Sequence, residues 1–390
     1  MKDAFRIAFL FGYNSCLGIF LTYGVFFNKV ATEFHQYALS TSSVFAVFAV
    51  AYSISSLLLG RLMMYQGAAR TIMAGGMLMA AGLASSSLAQ SIPMLVMTYG
   101  ALAGAGSGSM WLPTSYAVFE TFEYSKIRSV TGIVSAGTAF GSLFFAPFEA
   151  LSIVYFGWRL TFVFLAAIVM FLAFGAYLSS KDKKQNGMTE RNNSVRFRDV
   201  LSNVSRRGDF IALYMYYMLG NAFARTIVMI FVVPMLEAKG FSLFLSSFST
   251  ALIGAGSMVG RGFTSVKRLN EESIAGISFI MQGLSALVLP FASNIFLAYL
   301  LSFIFGIGYG GYIPQFALIV RKRYGMVYYS AVFGLLLTSF GIGAFFGPIL
   351  GGYDLMVTKE YLQMFIVSSV ISIGVGLHQI ASSKDHSSPR

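Results

Sequence analysis

Apolar stretches of about 20 residues recur along the whole chain, and they constrain its fold more than any other feature. An α-helix of that length crosses about 30 Å of hydrocarbon, at about 1.5 Å per residue. Only 11% of the 390 residues are charged and 56% are hydrophobic, whereas a water-soluble domain carries about 25% charged residues. The sequence therefore predicts an all-α integral membrane protein with twelve transmembrane helices. The predicted spans are 7–27, 41–61, 71–90, 94–118, 127–151, 159–179, 209–236, 243–266, 273–292, 295–320, 328–352 and 360–380.

Basic residues are distributed unevenly between the two sides of these predicted helices. The net charge of +12 alone is compatible with a nucleic-acid partner. With a cytoplasmic N-terminus, however, the cytoplasmic segments contain 21 of the 27 Lys and Arg residues, and the outer loops contain only Lys29, Arg159, Lys239 and Lys359. This asymmetry is typical of a membrane protein with both termini in the cytoplasm. It argues for the lipid bilayer, and against nucleic acid, as the partner.

The two halves of the chain repeat each other. Gly104, Gly106 and Gly108 in "GAGSGSMWLP" match Gly306, Gly308 and Gly310 in "GIGYGGYIP" at a constant offset of 202. One predicted helix later, Gly141 and Pro147 pair with Gly343 and Pro348. Such a parallel duplication predicts two pseudo-symmetric six-helix bundles facing a central cavity, in which the function should lie. We predict the bundles at 1–179 and 209–390, joined by a polar cytoplasmic linker at 180–208.

Several classes of function lack the residues that they would need. His35, His378 and His386 lie at the ends of predicted helices or at the C-terminus, and no predicted helix carries a pair of carboxylates. An intramembrane enzyme, a metal site or a cofactor is therefore not expected. The chain also lacks a phosphate-binding loop of the Gly-x-x-x-x-Gly-Lys-Ser/Thr type, which argues against direct use of ATP. A static receptor or scaffold remains the alternative to a transporter with two moving bundles.

The repeated halves resemble those of the major facilitator superfamily. Four strings are similar to its monocarboxylate transporter and oxalate/formate antiporter branch: "RSVTGIVSAGTAFGSLFFAP" (128–147), "GWR" (157–159), "YGVFFNKVATEF" (23–34) and "GPILGGYDLMVTKEY" (347–361). The resemblance implies a secondary active transporter of small, monocarboxylate-like organic anions. It would work as a symporter or antiporter by alternating access, with a proton or a counter-anion as the coupled species. We expect a monomer in the plasma membrane. The alternative within the same fold is an exporter of hydrophobic or cationic compounds.

One loop departs from the superfamily pattern. Between helices two and three that pattern reads Gly-x-x-x-Asp-Arg-x-Gly-x-Arg. The string "GRLMMYQGAAR" keeps Gly60 and Gly67, with Arg61 beside the first glycine and Arg70 one position after the last arginine of the pattern. Met64 occupies the acidic position and Tyr65 the basic one. The charge latch that resides in this loop is therefore missing or built from other residues.

Away from helix ends, only three charged residues fall inside predicted helices: Glu149, Arg225 and Arg261. A charge that faces lipid at the bilayer centre costs at least about 2.5–3.5 kcal/mol, so each should face a cavity or a partner. Two arginines against one carboxylate leave the interior electropositive, which suits an anionic substrate because a guanidinium holds a carboxylate through two parallel hydrogen bonds. The alternative is that the arginines lie near helix ends and extend to lipid headgroups.

Two registers compete for Arg261. Gly260–Arg261 mirrors Gly60–Arg61 at an offset of 200, which makes the arginine a structural residue beside a loop. Counting instead from the turn before each helix pairs Tyr37 with Ser242, and Arg261 then lies one helical turn deeper. The resemblance favours the deeper register, because that branch has its substrate-binding arginine at this place in helix eight. The branch often has an aspartate one turn earlier, where this chain has Ser257, so proton coupling through that residue is open.

Further polar and aromatic residues in the same predicted helices are candidates for substrate contact, with packing between helices as the alternative. They are Tyr23, Asn14, Tyr116, Asn221, Tyr312 and Gln315. Glu149 is the candidate for coupling, and a structural hydrogen bond to a neighbouring helix is its alternative role.

Overall fold

The computed structural model describes residues 2–181, 208–262 and 270–385, and residues 182–207 of the predicted linker lie outside them. The described residues form helices and turns, with no β-strand among them. The chain divides into two compact units, Met1–Asn192 (unit 1) and Asn193–Arg390 (unit 2). The all-helical architecture agrees with the predicted fold class.

Unit 1 begins with a helix that is broken twice, at residues 16–17 and 22–23. A second broken stretch follows at residues 92–121 and includes a π-helix, in which each turn holds an extra residue. In chain order the helices are α1 (Lys2–Ser15), α2 (Gly18–Leu21), α3 (Gly24–Glu33), α4 (Ala38–Gln66), α5 (Ala68–Ser86), α6 (Ile92–Leu95), the π-helix Val96–Ala103, α7 (Gly104–Ser107), α8 (Leu112–Thr121) and α9 (Tyr124–Ser180).

Unit 2 has its π-helix at a different place, inside its first transmembrane stretch. Its described helices are α10 (Gly208–Tyr216), the π-helix Tyr217–Ala224, α11 (Arg225–Ala238), α12 (Leu243–Arg261), α13 (Glu271–Val288), a 3₁₀ turn at Leu289–Phe291, α14 (Ile295–Thr358) and α15 (Leu362–Asp385).

Two glycines divide the longest helices. Gly157 in α9 has a φ of 80° and Gly325 in α14 has a φ of 68°, a backbone conformation that residues with a Cβ adopt only under strain. Each glycine separates two predicted spans, so the expected loops are reduced to sharp kinks. Nine stretches of the described residues are long and apolar enough to cross a membrane, and one of them, Ser129–Ser180, contains the Gly157 kink. Each of the twelve predicted spans lies mostly on described helix.

The repeated glycines make matching contacts in the two units. A Cβ added to Gly106 would lie 2.6 Å from the carbonyl oxygen of Gly75, and one added to Gly308 would lie 2.6 Å from the carbonyl oxygen of Ser278. The glycines are 202 residues apart and their partners 203, so each unit packs the equivalent pair of helices backbone against backbone. Small residues at such contacts are what holds helices together in lipid.

A second matched contact aligns the first helix of each unit. A Cβ added to Gly141 would collide with the carbonyl oxygen of Ser15, and a Cβ added to Gly343 would collide with the carbonyl oxygen of Met218. This contact relates the first helices at an offset of 203. Further along, Gly141 also meets Gly18 and Gly343 meets Ala222, an offset of 204 that pairs Thr22 of unit 1 with Thr226, the residue after Arg225.

Candidate functional site

Arg225 is held in the interior of unit 2. It follows the π-helix Tyr217–Ala224 directly and is only 4% exposed. Its guanidinium carbon lies 4.6 Å from the ring centroid of Tyr309 and 5.2 Å from that of Phe340. Among the described residues, the buried Nε of Arg225 has no hydrogen-bond partner, and no ion pair there includes this arginine. Aromatic faces therefore compensate part of the charge, and a buried N–H donor stays available.

Arg261 reaches the same tyrosine from another helix. It is the last residue of α12, and its side chain forms a hydrogen bond with Tyr309. It lies near enough to Arg225 for the two positive charges to repel each other. Two guanidinium groups from α11 and α12 thus converge on one phenol from α14. We call Arg225, Arg261 and Tyr309 the arginine cluster.

Glycine contacts fix the depth of Arg261 relative to α14. An added Cβ at Gly256 would collide with the carbonyl oxygen of Phe303, and one at Gly260 with that of Ile307. The two helices therefore run in the same direction, with Gly260 also beside Gly311. The membrane-spanning stretch Ile295–Gly325 continues fourteen residues beyond Gly311. Arg261 is accordingly level with the middle of that stretch, and not with its end.

The alignment of the two units bears on the register of α12. Tyr37 precedes the first residue of α4 and Ser242 precedes that of α12, an offset of 205. The glycine contacts give offsets of 205 and 202, because Gly104 packs on Phe48 and Gly306 on Ile253, whereas Gly108 packs on Ser55 and Gly310 on Ser257. These alignments make Arg261 equivalent to Ser56 or to Leu59, and not to Arg61. The geometry favours the deeper register.

Two of the sequence candidates in unit 2 lie beside the arginine cluster, and a third, Gln315, lies six residues after Tyr309 on α14. The hydroxyl of Tyr312 donates a hydrogen bond of 3.0 Å to Oδ1 of Asn221, one helical turn before Arg225. Tyr312 is completely buried, stacks on Phe279 with ring centroids 4.2 Å apart, and interacts electrostatically with Arg225. Gln315 is 1% exposed, and its Nε2 is buried without a partner among the residues described.

Tyr309 is the site residue that sequence reasoning missed. It lies between Gly308 and Gly310 of the repeated glycine motif, where unit 1 has Ser107. The signal was present, since an aromatic residue replaces a small one inside a motif whose glycines serve close helix packing. With 21 tyrosines and 39 phenylalanines in the chain, aromatic character alone does not distinguish it.

The unit 1 candidates make contacts within their own unit. Tyr23 is fully buried and donates a 3.0 Å hydrogen bond to the carbonyl of Thr41, and Asn14 Nδ2 donates one of 2.6 Å to the carbonyl of Val134. Both contacts tie helices together. Tyr116 is half-buried on α8.

Glu149 is completely buried in α9, and its Oε1 lies 2.9 Å from Oγ1 of Thr22. The hydrogen bond to the first helix therefore exists. It joins two residues that are 127 positions apart in the sequence. Thr22 is the unit 1 equivalent of Thr226, since both hydroxyls donate to matching backbone carbonyls, Gly18 and Ile19 in unit 1 and Ala222 and Phe223 in unit 2. The carboxyl–hydroxyl pair of unit 1 therefore lies at the place that adjoins the Arg225 guanidinium in unit 2.

The residues of the helix two–three loop have distinct positions. Gly67 has a φ of 83° and separates α4 from α5, which explains the need for glycine; Arg61 and Arg70 are exposed, and Gly60 is half-buried. Glu120, from the end of α8, accepts a backbone hydrogen bond from Ala68, and partial burial raises the pKa of its carboxyl. An acidic side chain thus reaches this loop from another helix.

The chemistry of the arginine cluster is that of anion binding. It presents permanent positive charge and hydrogen-bond donors inside an apolar bundle. No group of three or more His, Cys, Asp or Glu residues that could hold a metal ion occurs in the described ranges.

Comparison with known proteins gives the family. The chain is 24% identical over 382 residues to monocarboxylate transporter 2 of Rattus norvegicus, covering 91% of this chain and 77% of that protein. It is 22% identical to the Homo sapiens monocarboxylate transporter 2, covering 90% of this chain and 79% of that protein. A similar fold occurs in the crystal structure of a bacterial homolog of the human lysosomal transporter Spinster, in an inward-facing and unoccupied conformation. The TM-score is 0.79 and the identity 14%, and the match covers 98% of this chain and 97% of that chain. The model of the Major Facilitator Superfamily matches residues 8–348. This chain therefore belongs to the major facilitator superfamily, and it is a multi-pass membrane transporter rather than an enzyme.

Proposed function

We propose that this protein is a secondary active transporter of small organic anions, and that Arg225 and Arg261 bind the substrate carboxylate. The observation that carries the proposal is the convergence of two guanidinium groups on Tyr309, with a buried N–H of Arg225 unused by the described residues. Asn221, Tyr312 and Gln315 complete the polar lining.

Electrostatics supports an anion at this place. Two like charges that share one neutral phenol repel each other, and an anion bound between them replaces that repulsion by attraction. Each charge-assisted hydrogen bond to a carboxylate is worth about 1.5–3 kcal/mol. A guanidinium also keeps its charge in an apolar setting, where an ammonium would lose its proton more readily.

The names of the relatives support monocarboxylates as the class to test first. The distribution of basic residues supports cytoplasmic termini, and we place the protein in the plasma membrane on the resemblance. A lipophilic cation would meet the arginine cluster with unfavourable charge, which argues against the cation-exporter alternative.

The test is binding followed by transport. Purified protein in detergent is heated with lactate, pyruvate, acetate, formate or oxalate, because a ligand that binds the folded state raises the melting temperature. Anions that stabilise the protein are then supplied, radiolabelled, to proteoliposomes. We expect Arg225→Gln and Arg261→Gln each to weaken binding by about 10–100-fold.

Arg321→Gln is the matched control, because Arg321 is an exposed arginine of the same unit. It should leave both binding and uptake unchanged. Unchanged uptake in Arg225→Gln and Arg261→Gln would refute the assignment of the site. Competition by lipophilic cations, with no effect of any carboxylate, would favour the exporter.

A further inference from the structure

Glu149 of unit 1 carries a fully buried carboxyl group that the binding of an anion in unit 2 does not use. It is 0% exposed. Its Oε2 is buried without a hydrogen-bond partner among the described residues, and none of the ion pairs found there includes it. Its one polar contact is with the hydroxyl of Thr22, at 2.9 Å.

The geometry around Thr22 distinguishes two protonation states of Glu149. The Thr22 hydroxyl oxygen lies 3.2 Å from the carbonyl oxygen of Gly18, 3.1 Å from that of Ile19 and 2.9 Å from Glu149 Oε1. A hydroxyl has one hydrogen to donate but accepts further hydrogen bonds. If Glu149 were ionised, all three neighbours would be acceptors competing for that hydrogen. If Glu149 is protonated, its O–H donates to Thr22, and Thr22 donates to the backbone.

The surroundings of Glu149 also favour the neutral form. The titratable group that faces it is Tyr99, whose hydroxyl donates to the carbonyl of Ile19 at 3.2 Å. Behind Tyr99 lies Tyr23, with ring centroids 5.3 Å apart, and its hydroxyl is engaged by Thr41. Both phenols are neutral, and the described neighbours include no cation. An isolated ionised carboxylate in such a place is costly, so the group takes up a proton instead.

We propose that Glu149 and Thr22 form a proton-binding site in unit 1, and that the site holds its proton in the conformation described here. On release, the O–H bond of Glu149 breaks, the proton passes to a water molecule, and the carboxylate accepts the hydrogen that Thr22 had donated to the backbone. Thr22 lies between α2 and α3, so this exchange changes the hydrogen bonding at a break in the first helix. The coupling of this proton to transport rests on the proposed function, whereas proton binding does not.

The proton is tested directly by infrared spectroscopy of the full-length protein in lipid vesicles. A protonated carboxyl has a C=O stretching band that shifts on exchange into D₂O. We expect wild-type protein at neutral pH to show this band, Glu149→Gln to lack it, and Thr22→Val to shift it by removing the hydrogen-bond partner. Glu123→Gln, which removes an exposed carboxyl of the same unit, should retain it. A wild-type spectrum without a Glu149-dependent band would overturn the proposal, whatever anions the protein binds.

Coupling is tested by anion uptake into proteoliposomes with and without an inward-acidic pH gradient. We expect the gradient to change the wild-type rate several-fold and to leave the rate of Glu149→Gln unchanged, because glutamine imitates the protonated carboxyl permanently. Anion binding measured by thermal shift should persist in Glu149→Gln, which separates this result from a failure of the proposed function. Equal gradient dependence in Glu149→Gln and wild-type protein would refute the coupling.

Discussion

The two units share one helix-packing scheme but place opposite chemistry close to matched positions. Glycines 202 residues apart make the same close backbone contacts in each unit. In the first helix, however, unit 1 has Thr22 bonded to Glu149, whereas in unit 2 Arg225, the residue before the matched Thr226, lies against Tyr309. The duplication therefore preserved the contacts that pack helices and left the polar residues free to diverge. The proposed anion site and the proposed proton site therefore lie in different units.

The largest expected effect concerns the close backbone packing that the two units share. A Cβ at Gly308 would meet the backbone of Ser278 and Gln282, and one at Gly106 would meet the backbone of Met79 and Gly75. Backbone cannot move aside as a flexible side chain can, so Gly308→Val and Gly106→Val should each destabilise the protein by about 3 kcal/mol or more. Thermal unfolding in detergent measures both variants.

Gly374→Ala is the control, since open space surrounds the position of its added Cβ. That variant should be neutral or up to about 1 kcal/mol more stable, because alanine favours helix over glycine. If Gly106→Val were tolerated while Gly308→Val was not, the packing of the two units would not be equivalent.

Two ion pairs of unit 2, formed by neighbouring residues, differ in burial. Arg323 donates hydrogen bonds from Nε and one terminal nitrogen to Glu272, and the two side chains are 18% and 9% exposed. Lys322 pairs with Glu271, and these side chains are 62% and 33% exposed. Arg323→Gln leaves a buried carboxylate without its cation and should cost about 1.5–3 kcal/mol. Lys322→Gln should cost less than about 1 kcal/mol.

Chemical unfolding of both variants at low and high salt measures this difference. Salt should weaken only the contribution of Lys322, because exposed pairs are screened and buried ones much less. Equal losses in the two variants would contradict the assignment of Arg323–Glu272 as a buried pair.

Patterns of spacing and charge predicted the features that repeat or stand out in the sequence. The glycine offset of 202 predicted the duplication, and the count of charges inside apolar stretches selected Glu149, Arg225 and Arg261. Contacts between side chains of different helices could not be predicted, because hydropathy and spacing do not specify which helix faces pack against each other. The contact of Glu149 with Thr22 joins residues 127 positions apart. Tyr309 is one aromatic residue among many until two arginines are seen to meet it.

Tyr309 offers a smaller test, within unit 2. Tyr309→Phe keeps the ring that faces Arg225 but removes the hydroxyl that Arg261 contacts. Loss of one hydrogen bond is worth about 0.5–1.5 kcal/mol, so anion affinity should fall by about 2–10-fold. Thermal-shift titration with the best-binding carboxylate gives the affinity.

Tyr299→Phe is the control for that substitution. Its hydroxyl donates to the carbonyl of Leu245, and it lies ten residues before Tyr309 on the same helix. Affinity should not change in this variant. A loss of affinity in Tyr309→Phe as large as that in Arg225→Gln would mean that the hydroxyl itself binds the substrate.

The smallest expected effect concerns the predicted outer ends of the two units, at Arg159 and Lys239. In unit 1, Arg159 pairs with Glu33, donates a 2.7 Å hydrogen bond to the carbonyl of Ala89 and lies 4.2 Å from the ring of Trp158. In unit 2, Lys239 instead donates to backbone carbonyls, and its Nζ lies 3.0 Å from the carbonyl oxygen of Ala292. Partial burial lowers the pKa of the Lys239 ammonium.

Only the unit 1 contact is an ion pair, and its side chains are 38% and 41% exposed. Glu33→Gln should therefore cost less than about 1 kcal/mol in low salt and almost nothing in high salt. Lys239→Met removes hydrogen bonds to neutral carbonyls, so its cost should change little with salt. Unfolding at two ionic strengths checks both variants. A salt-dependent loss in Lys239→Met would reveal an acidic partner in unit 2 and remove the contrast between the outer ends.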